Sequence, residues 1–106
     1  MPGKAPRDKG NAEERAIVNL HRELKFPAER TLERGSRSDG SKTWDVDLYI
    51  NGKDGFPIIG ECKIRAKGFK NIYNWLGEND FLTIRADRKE RLYVVPERVW
   101  IDLITK

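Results

Sequence analysis

The chain has 106 residues, of which 36% are charged and 38% hydrophobic, and its formal net charge is +4. This length predicts one domain, and the composition is that of a globular protein and excludes an acidic disordered chain. The sequence has no apolar run long enough to span a membrane and no signal-peptide pattern. One cysteine and one histidine exclude an internal disulfide and a four-ligand zinc site, so any metal would be held by carboxylate oxygens. We therefore expect a protein of the reducing cytoplasm.

The chain is predicted to begin with a flexible arm, followed by one domain over residues 9–106. The arm is residues 1–8, which contain proline, glycine and charged side chains. A helix is predicted to start near Asn11, because Asn11 and Glu14 have the spacing of a capping box, although that motif prefers serine or threonine at its first position. Apolar residues recur at helical spacing until Pro27, which would end the helix.

A half-buried strand is predicted over residues 44–50, WDVDLYI, because apolar and polar side chains alternate strictly along it. The apolar side chains would cover one face, whereas Asp45 and Asp47 would lie on the other. The preceding residues 28–43 divide into a first half that could form a short strand and a glycine- and serine-rich second half that is typical of a mobile loop.

A β-hairpin is predicted next, because Asn51-Gly52 is a strong turn signal. Residues 56–65, FPIIGECKIR, would form the partner strand. Residues two apart in a strand point to the same face, so Glu61 and Lys63 would project together. An isolated pair of this kind is most often a surface ion pair, which contributes only about 0–1 kcal/mol to stability.

The second half of the chain predicts two helices and two strands. A helical apolar pattern begins at Phe69 and could stop at Gly77, strands are predicted within residues 80–86 and 91–96, and residues 96–106 predict a last short helix. The predicted order is therefore α-β-β-β-α-β-β-α. This order is typical of an α/β or α+β domain whose helices pack on one mixed sheet, with the middle helix as a possible crossover connection.

Positive charge is concentrated in two stretches of the sequence. Residues 63–77 contain Lys63, Arg65, Lys67 and Lys70 and no acidic residue, and the N-terminal segment is also basic. Such patches suit a polyanionic partner such as DNA. The alternative is a solvated basic face, and charge by itself does not decide between the two.

The acidic residues predict a more specific chemistry. If the two hairpin strands pair through the short turn, Asp47 and Glu61 can lie side by side, and Glu14 borders the apolar stripe of the first helix. Carboxylates that converge repel each other, and a divalent cation such as Mg²⁺ removes that cost. A cation also lowers the pKa of a bound water and stabilises charge on phosphate oxygens, while Lys63 could orient the attacking water. This is the chemistry of phosphodiester hydrolysis.

These residues carry a resemblance to a nuclease family. Asp45-Val46-Asp47, the hairpin and Glu61-Cys62-Lys63 resemble the D…(D/E)-X-K signature of the PD-(D/E)XK nuclease superfamily. Residues 9–15, KGNAEER, resemble the KG…ER opening of archaeal and phage Hjc-type Holliday junction resolvases. The resemblance implies a restriction-endonuclease-like core and covers most of the chain. Two features depart from it: Val46 stands where the family has proline, and the match fades after Lys63.

The resemblance also implies the residues of the active site. Glu14, Asp47, Glu61 and Lys63 would be the catalytic set, and Mg²⁺ or Mn²⁺ would be bound by Asp47, Glu61 and Glu14, with Asp45 as a further possible ligand. DNA would be bound by basic residues and by serines of the loop before the aspartate, which could order on DNA. The DNA-binding candidates are Lys9, Arg15, Arg34, Ser36, Arg37, Ser38, Arg65, Lys67 and Lys70.

The implied activity is that of a metal-dependent, structure-selective DNA endonuclease. A Holliday junction resolvase makes paired symmetric nicks in a four-way junction, so a chain with one site would act as a homodimer. The compact size and the divergent second half hint at a phage origin, in which case the host cytoplasm would be the location. Two alternatives stay open: another PD-(D/E)XK repair or nicking endonuclease that acts on flaps or duplex, and a non-catalytic basic DNA-binding domain with this fold.

Overall fold

The computed structural model describes residues 6–32 and 44–106, and within them the order of elements is the predicted one. The described part of the chain is a mixed α/β structure with three helices and five strands. The helices are α1 (Pro6–Glu23), α2 (Lys70–Leu76) and α3 (Glu97–Ile104). The strands are β1 (Ala28–Leu32), β2 (Trp44–Leu48), β3 (Ile58–Gly60), β4 (Leu82–Ile84) and β5 (Leu92–Val94).

The strands form two antiparallel sheets, so the prediction of one mixed sheet is wrong for the described residues. One sheet has the order β1-β2-β3, and the other is the hairpin β4-β5. β4 and β5 pair with each other, Leu82 opposite Val94, because the short polar segment between them brings them directly together. α2 is therefore not a crossover between parallel strands. No helix within the described residues has the length and apolar character that crossing a membrane requires.

The chain divides into two compact units, Met1–Ile64 and Arg65–Lys106. In the first unit, α1 packs on one face of the β1-β2-β3 sheet. The core there consists of Val18 from α1, Ala28 from β1 and Val46 from β2. The side chains of Ile17, Leu48 and Cys62 pack against this cluster.

Helix α1 begins at Pro6, before the predicted start near Asn11. Proline is compatible with the first turn of a helix, where its missing N–H would have had no helical partner. The helix therefore includes residues 6–8, which the sequence had assigned to the arm. Asn11 is not a cap in the structure, because it lies in the second turn of the helix.

The end of α1 is set by a left-handed residue and not by Pro27 itself. Lys25 has a φ of 73°, and the N–H of Phe26 donates to the carbonyl oxygen of His21 at 2.9 Å. This six-to-one hydrogen bond across a left-handed residue is the Schellman arrangement. It turns the chain from α1 into β1.

The second unit has small elements and little buried surface. Leu76 at the end of α2 is its one buried residue. α2 stops at Gly77, as predicted, where a φ of 53° favours glycine and the Gly77 N–H donates to the carbonyl oxygen of Tyr73 at 2.9 Å. Within α2, Tyr73 belongs to the predicted apolar stripe but is 72% exposed.

Candidate functional site

The hairpin of β2 and β3 positions the acidic motif. In its antiparallel register Asp47 lies opposite Ile59 and Val46 opposite Gly60. Opposite residues of an antiparallel pair point to the same face of the sheet. Ile59 and Glu61 are two residues apart along the chain, so an extended chain after β3 carries Glu61 to the face of Asp47.

The partner strand is shorter than predicted. β3 contains only Ile58–Gly60, so the prediction that Glu61 and Lys63 lie in a strand is wrong. Gly60 has no side chain to pack on the sheet, and glycine weakens a strand at its end.

Glu61 and Lys63 nevertheless project together. Lys63 Nζ lies 2.9 Å from Glu61 Oε1, and each side chain is 41% exposed. Between them, Cys62 points the other way and packs on the core cluster beneath α1. Glu61 and Lys63 therefore face away from α1.

Asp47 is the most deeply buried acidic residue that the structure describes. Its neighbour Val46 points into the core under α1, so Asp47 points to the opposite face, yet it is only 1% exposed. The hydroxyl of Thr31 on β1 donates to Asp47 Oδ1 at 3.4 Å. The sequence predicted a polar face for this residue but not its burial. A buried carboxylate is costly unless it is paired or hydrogen-bonded, and such groups are concentrated at functional sites.

Glu14 lies in a different environment, on α1. It is 8% exposed, and its Oε1 accepts a hydrogen bond from Arg30 Nη2 of β1 at 3.0 Å. The same Nη2 donates to Asn11 Oδ1 at 3.1 Å, and the guanidinium carbon lies 4.8 Å from the ring centroid of Trp44. Arg30 thus fixes Glu14 through a largely buried, charge-assisted contact.

The structure therefore does not gather all of the predicted ligands. Arg30 lies opposite Val46 in the sheet and shares its face, so Glu14 contacts the α1 side, whereas Asp47 points to the other side. Among the described residues, no group of three or more His, Cys, Asp or Glu side chains is arranged to hold a metal ion. The register of β2 with β3 and the two-residue spacing from Ile59 to Glu61 assign Asp47 and Glu61 to one side of the sheet. Carboxylates of this kind and number are usual Mg²⁺ ligands in proteins.

The thiol of Cys62 lies within electrostatic reach of both acidic regions. Burial raises the pKa of Cys62, and the negative charges of Glu14, Glu13 and Glu61 raise it further. The thiol is therefore protonated at neutral pH and is a poor nucleophile.

The predicted DNA-binding residues divide between exposed and undescribed positions. Arg34, Ser36, Arg37 and Ser38 lie outside the described residues. Each of the remaining candidates is exposed to solvent. They are Lys9, Arg15, Arg65, Lys67 and Lys70.

Arg30 is the residue that sequence reasoning missed. It contacts Glu14, sixteen positions earlier in the chain, because β1 pairs with β2 beneath α1. Its Nε is buried and has no hydrogen-bond partner within the described part of the chain. An arginine in a short polar strand carries no local signal of such a role, which depends on the register of the sheet.

Comparison of the chain with protein-family models, with curated proteins and with solved structures found no match. Any functional assignment therefore depends on the residues and on their geometry.

Proposed function

We propose that this chain is a metal-dependent, structure-selective DNA endonuclease of the PD-(D/E)XK type, with a restriction-endonuclease-like core, and that it resolves Holliday junctions in the cytoplasm. The observation that carries the proposal is the register of β2 with β3. Buried Asp47 lies opposite Ile59, two residues before Glu61, and Glu61 contacts Lys63 at 2.9 Å. An acidic residue on one strand and an E-X-K segment after the next are what this chemistry requires.

Asp47 and Glu61 would hold Mg²⁺ or Mn²⁺. The cation, when bound, supplies positive charge that activates a water for attack and stabilises the phosphate oxygens. Lys63 would orient that water or contact the scissile phosphate, and it lies beside Glu61, 2.9 Å from Oε1. Thr31 keeps the Asp47 carboxylate oriented through its hydroxyl.

Glu14 is the ligand that the geometry supports least. Its carboxylate accepts a hydrogen bond from Arg30 on the other side of the sheet, and reaching Asp47 would require this contact to break. In the arrangement described, Glu14 is held on the α1 side of the sheet by Arg30.

Binding of DNA would use phosphate contacts. The exposed residues Lys9, Arg15, Arg65, Lys67 and Lys70 supply positive charge for a largely sequence-independent interaction that weakens with salt. Paired symmetric nicks need two related sites, and one chain carries one candidate site. A homodimer with twofold symmetry would supply both.

A second candidate function is that of a non-catalytic DNA-binding domain. The observation that favours it is that two of the three candidate ligands are ion-paired within the chain, Glu14 with Arg30 and Glu61 with Lys63. Carboxylates neutralised in this way can be structural groups.

The deciding experiment is cleavage of a four-way junction and of a linear duplex by the full chain with Mg²⁺ or Mn²⁺. We expect paired symmetric nicks in the junction, and loss of cleavage with EDTA. Glu61→Gln and Asp47→Asn should each lower the rate by at least about 100-fold, because loss even of groups that only support a metal ligand costs 10–100-fold. DNA binding by both variants should be unchanged or tighter, because each removes a negative charge.

One matched variant serves as the control, and a second variant tests a further ligand. Glu78→Gln changes an exposed glutamate of the second unit and should cleave like the wild type. Asp45→Asn tests whether Asp45, the other aspartate of β2, also binds metal. Equal cleavage of junction and duplex would favour a repair or nicking endonuclease. Binding of DNA by a wild-type protein that cuts neither substrate with either cation would favour the non-catalytic domain.

A further inference from the structure

A recess lined by arginines lies between α1 and β1, outside the proposed catalytic residues. Its volume is about 260 Å³, and its lining, which we call the arginine recess, is Arg15, Val18, Asn19, Arg22 and Arg30. Val18 and Asn19 each lie three or four residues from Arg15 and from Arg22, so the four α1 residues form one stripe along the helix. Arg30 reaches the recess from the neighbouring strand.

Two of the three guanidinium groups are held in place by the fold. Arg22 Nε donates to the carbonyl oxygen of Ala28 at 2.9 Å. Among the described residues, the terminal nitrogens of Arg22 have no hydrogen-bond partner. Arg30 is fixed by Glu14, by Asn11 and by the ring of Trp44. Binding an anion here would therefore cost less side-chain ordering than binding to mobile surface arginines.

The charge of the recess is unbalanced. Three guanidinium groups line it, and Glu14 is the one carboxylate that any of them contacts within the described residues, so the local charge is 3 − 1 = +2. Arg30 Nε is also a buried donor with no partner among these residues. The excess positive charge is relieved by an anion with several acceptor oxygens, and the planar fork of arginine matches a phosphate group.

We propose that the arginine recess binds one phosphate group, supplied by the backbone of bound DNA. That DNA supplies the phosphate rests on the proposed function. That a phosphate group binds here rests on the arginines of the recess itself. Of its lining, Arg15 alone was among the predicted DNA-binding residues. Asn19 and Arg22 extend the binding surface along α1, and Arg30 extends it onto β1.

The first test is the salt dependence of DNA affinity, measured by fluorescence anisotropy on the full chain. Each lost phosphate contact lowers the slope of log affinity against log salt by about one. We expect this fall for Arg22→Gln and for Arg15→Gln. Arg15 is exposed, and its side chain has no hydrogen bond to another described residue that could confound the result. Arg22→Lys should keep most of the slope because it keeps the charge.

The matched control is Arg91→Gln, which removes the same charge from an exposed arginine in the second unit. Its slope should equal that of the wild type. An equal fall in Arg91→Gln would mean that net charge alone sets the slope and would overturn the proposal. So would unchanged slopes in Arg22→Gln and Arg15→Gln.

The second test uses inorganic phosphate and separates the recess from the nuclease proposal. Titration of ¹⁵N-labelled wild-type protein with sodium phosphate should shift the Nε–H signals of Arg22 and Arg30, and Arg22→Gln should remove the Arg30 shift. If the wild type binds no DNA, the proposed function fails. If the shifts are nevertheless seen, the recess binds phosphate, and its ligand is a free phosphate compound. Absence of the shifts in a protein that also binds no DNA would overturn the recess.

Discussion

The two units of this protein bury different kinds of residues. In the first unit Glu14, His21 and Asp47 are buried together with three apolar residues, and His21 Nδ1 donates to the carbonyl oxygen of Ile17 at 2.7 Å. In the second unit Leu76 is the one buried residue. Six large hydrophobic side chains of the second unit are exposed. The exposed ones are Tyr73, Trp75, Phe81, Leu92, Tyr93 and Leu103.

The first unit therefore contains the buried ionisable side chains that the structure describes, together with three of the four buried apolar residues. Ionisable groups are rarely buried unless they are paired or have a function, because taking a charge out of water is costly. Three such groups lie in the unit that also carries the acidic motif. The second unit has strands of three residues and helices of seven and eight, which cannot bury much surface by themselves.

A large difference in stability effects is expected between one ion pair of each unit, because the pair in the first unit is largely buried and the pair in the second unit is exposed. Arg30→Gln should lower the free energy of unfolding by about 2 kcal/mol, because it leaves Glu14 largely buried without its cation. Arg98→Gln removes the corresponding partner of Asp80 in the second unit, where the side chains are 60% and 73% exposed. There we expect about 0.5 kcal/mol or less. Urea denaturation measures both, and equal effects would contradict the contrast between the units.

Apolar truncations should show a similar contrast. Val46→Ala removes two methyl groups from the core of the first unit and should cost about 2 kcal/mol. Leu92→Ala, at a position that is 56% exposed, should change the free energy of unfolding by about 0.5 kcal/mol or less. A large cost at Leu92 would show that this side chain is buried in solution, for example against a second copy of the chain. Denaturation at several protein concentrations would detect such an interface.

The smallest gains in stability are expected from relief of backbone strain. Each unit has one residue other than glycine with a positive φ within the described part of the chain. Lys25 after α1 and Arg88 between β4 and β5 have φ values of 73° and 62°, where a side chain is disfavoured. Lys25→Gly and Arg88→Gly should each raise the free energy of unfolding, by up to about 1 kcal/mol. Thermal unfolding measures the gain, and Lys25→Ala and Arg88→Ala, which keep the Cβ, should show none.

Sequence patterns predicted the local structure well and the long-range contacts less well. The order of elements, the stop of α2 at Gly77 and the antiparallel hairpin of β2 and β3 follow from periodicity and from turn residues. At Gly52 the predicted turn has a φ of 100°, which glycine adopts without strain. The joint projection of Glu61 and Lys63 also follows from spacing. The single mixed sheet and the long third strand were wrong, because pairing depends on partners that are distant in sequence.

The sequence by itself determined which elements form and which acidic and basic side chains the hairpin carries, because spacing along a strand or helix sets direction. Tertiary structure alone decided that Asp47 is buried, that Glu14 is held by Arg30 on the opposite side of the sheet, and that three arginines of α1 and β1 line one recess. These features depend on strand register and on the docking of α1. Both are set by contacts between residues far apart in the chain, which no local pattern encodes.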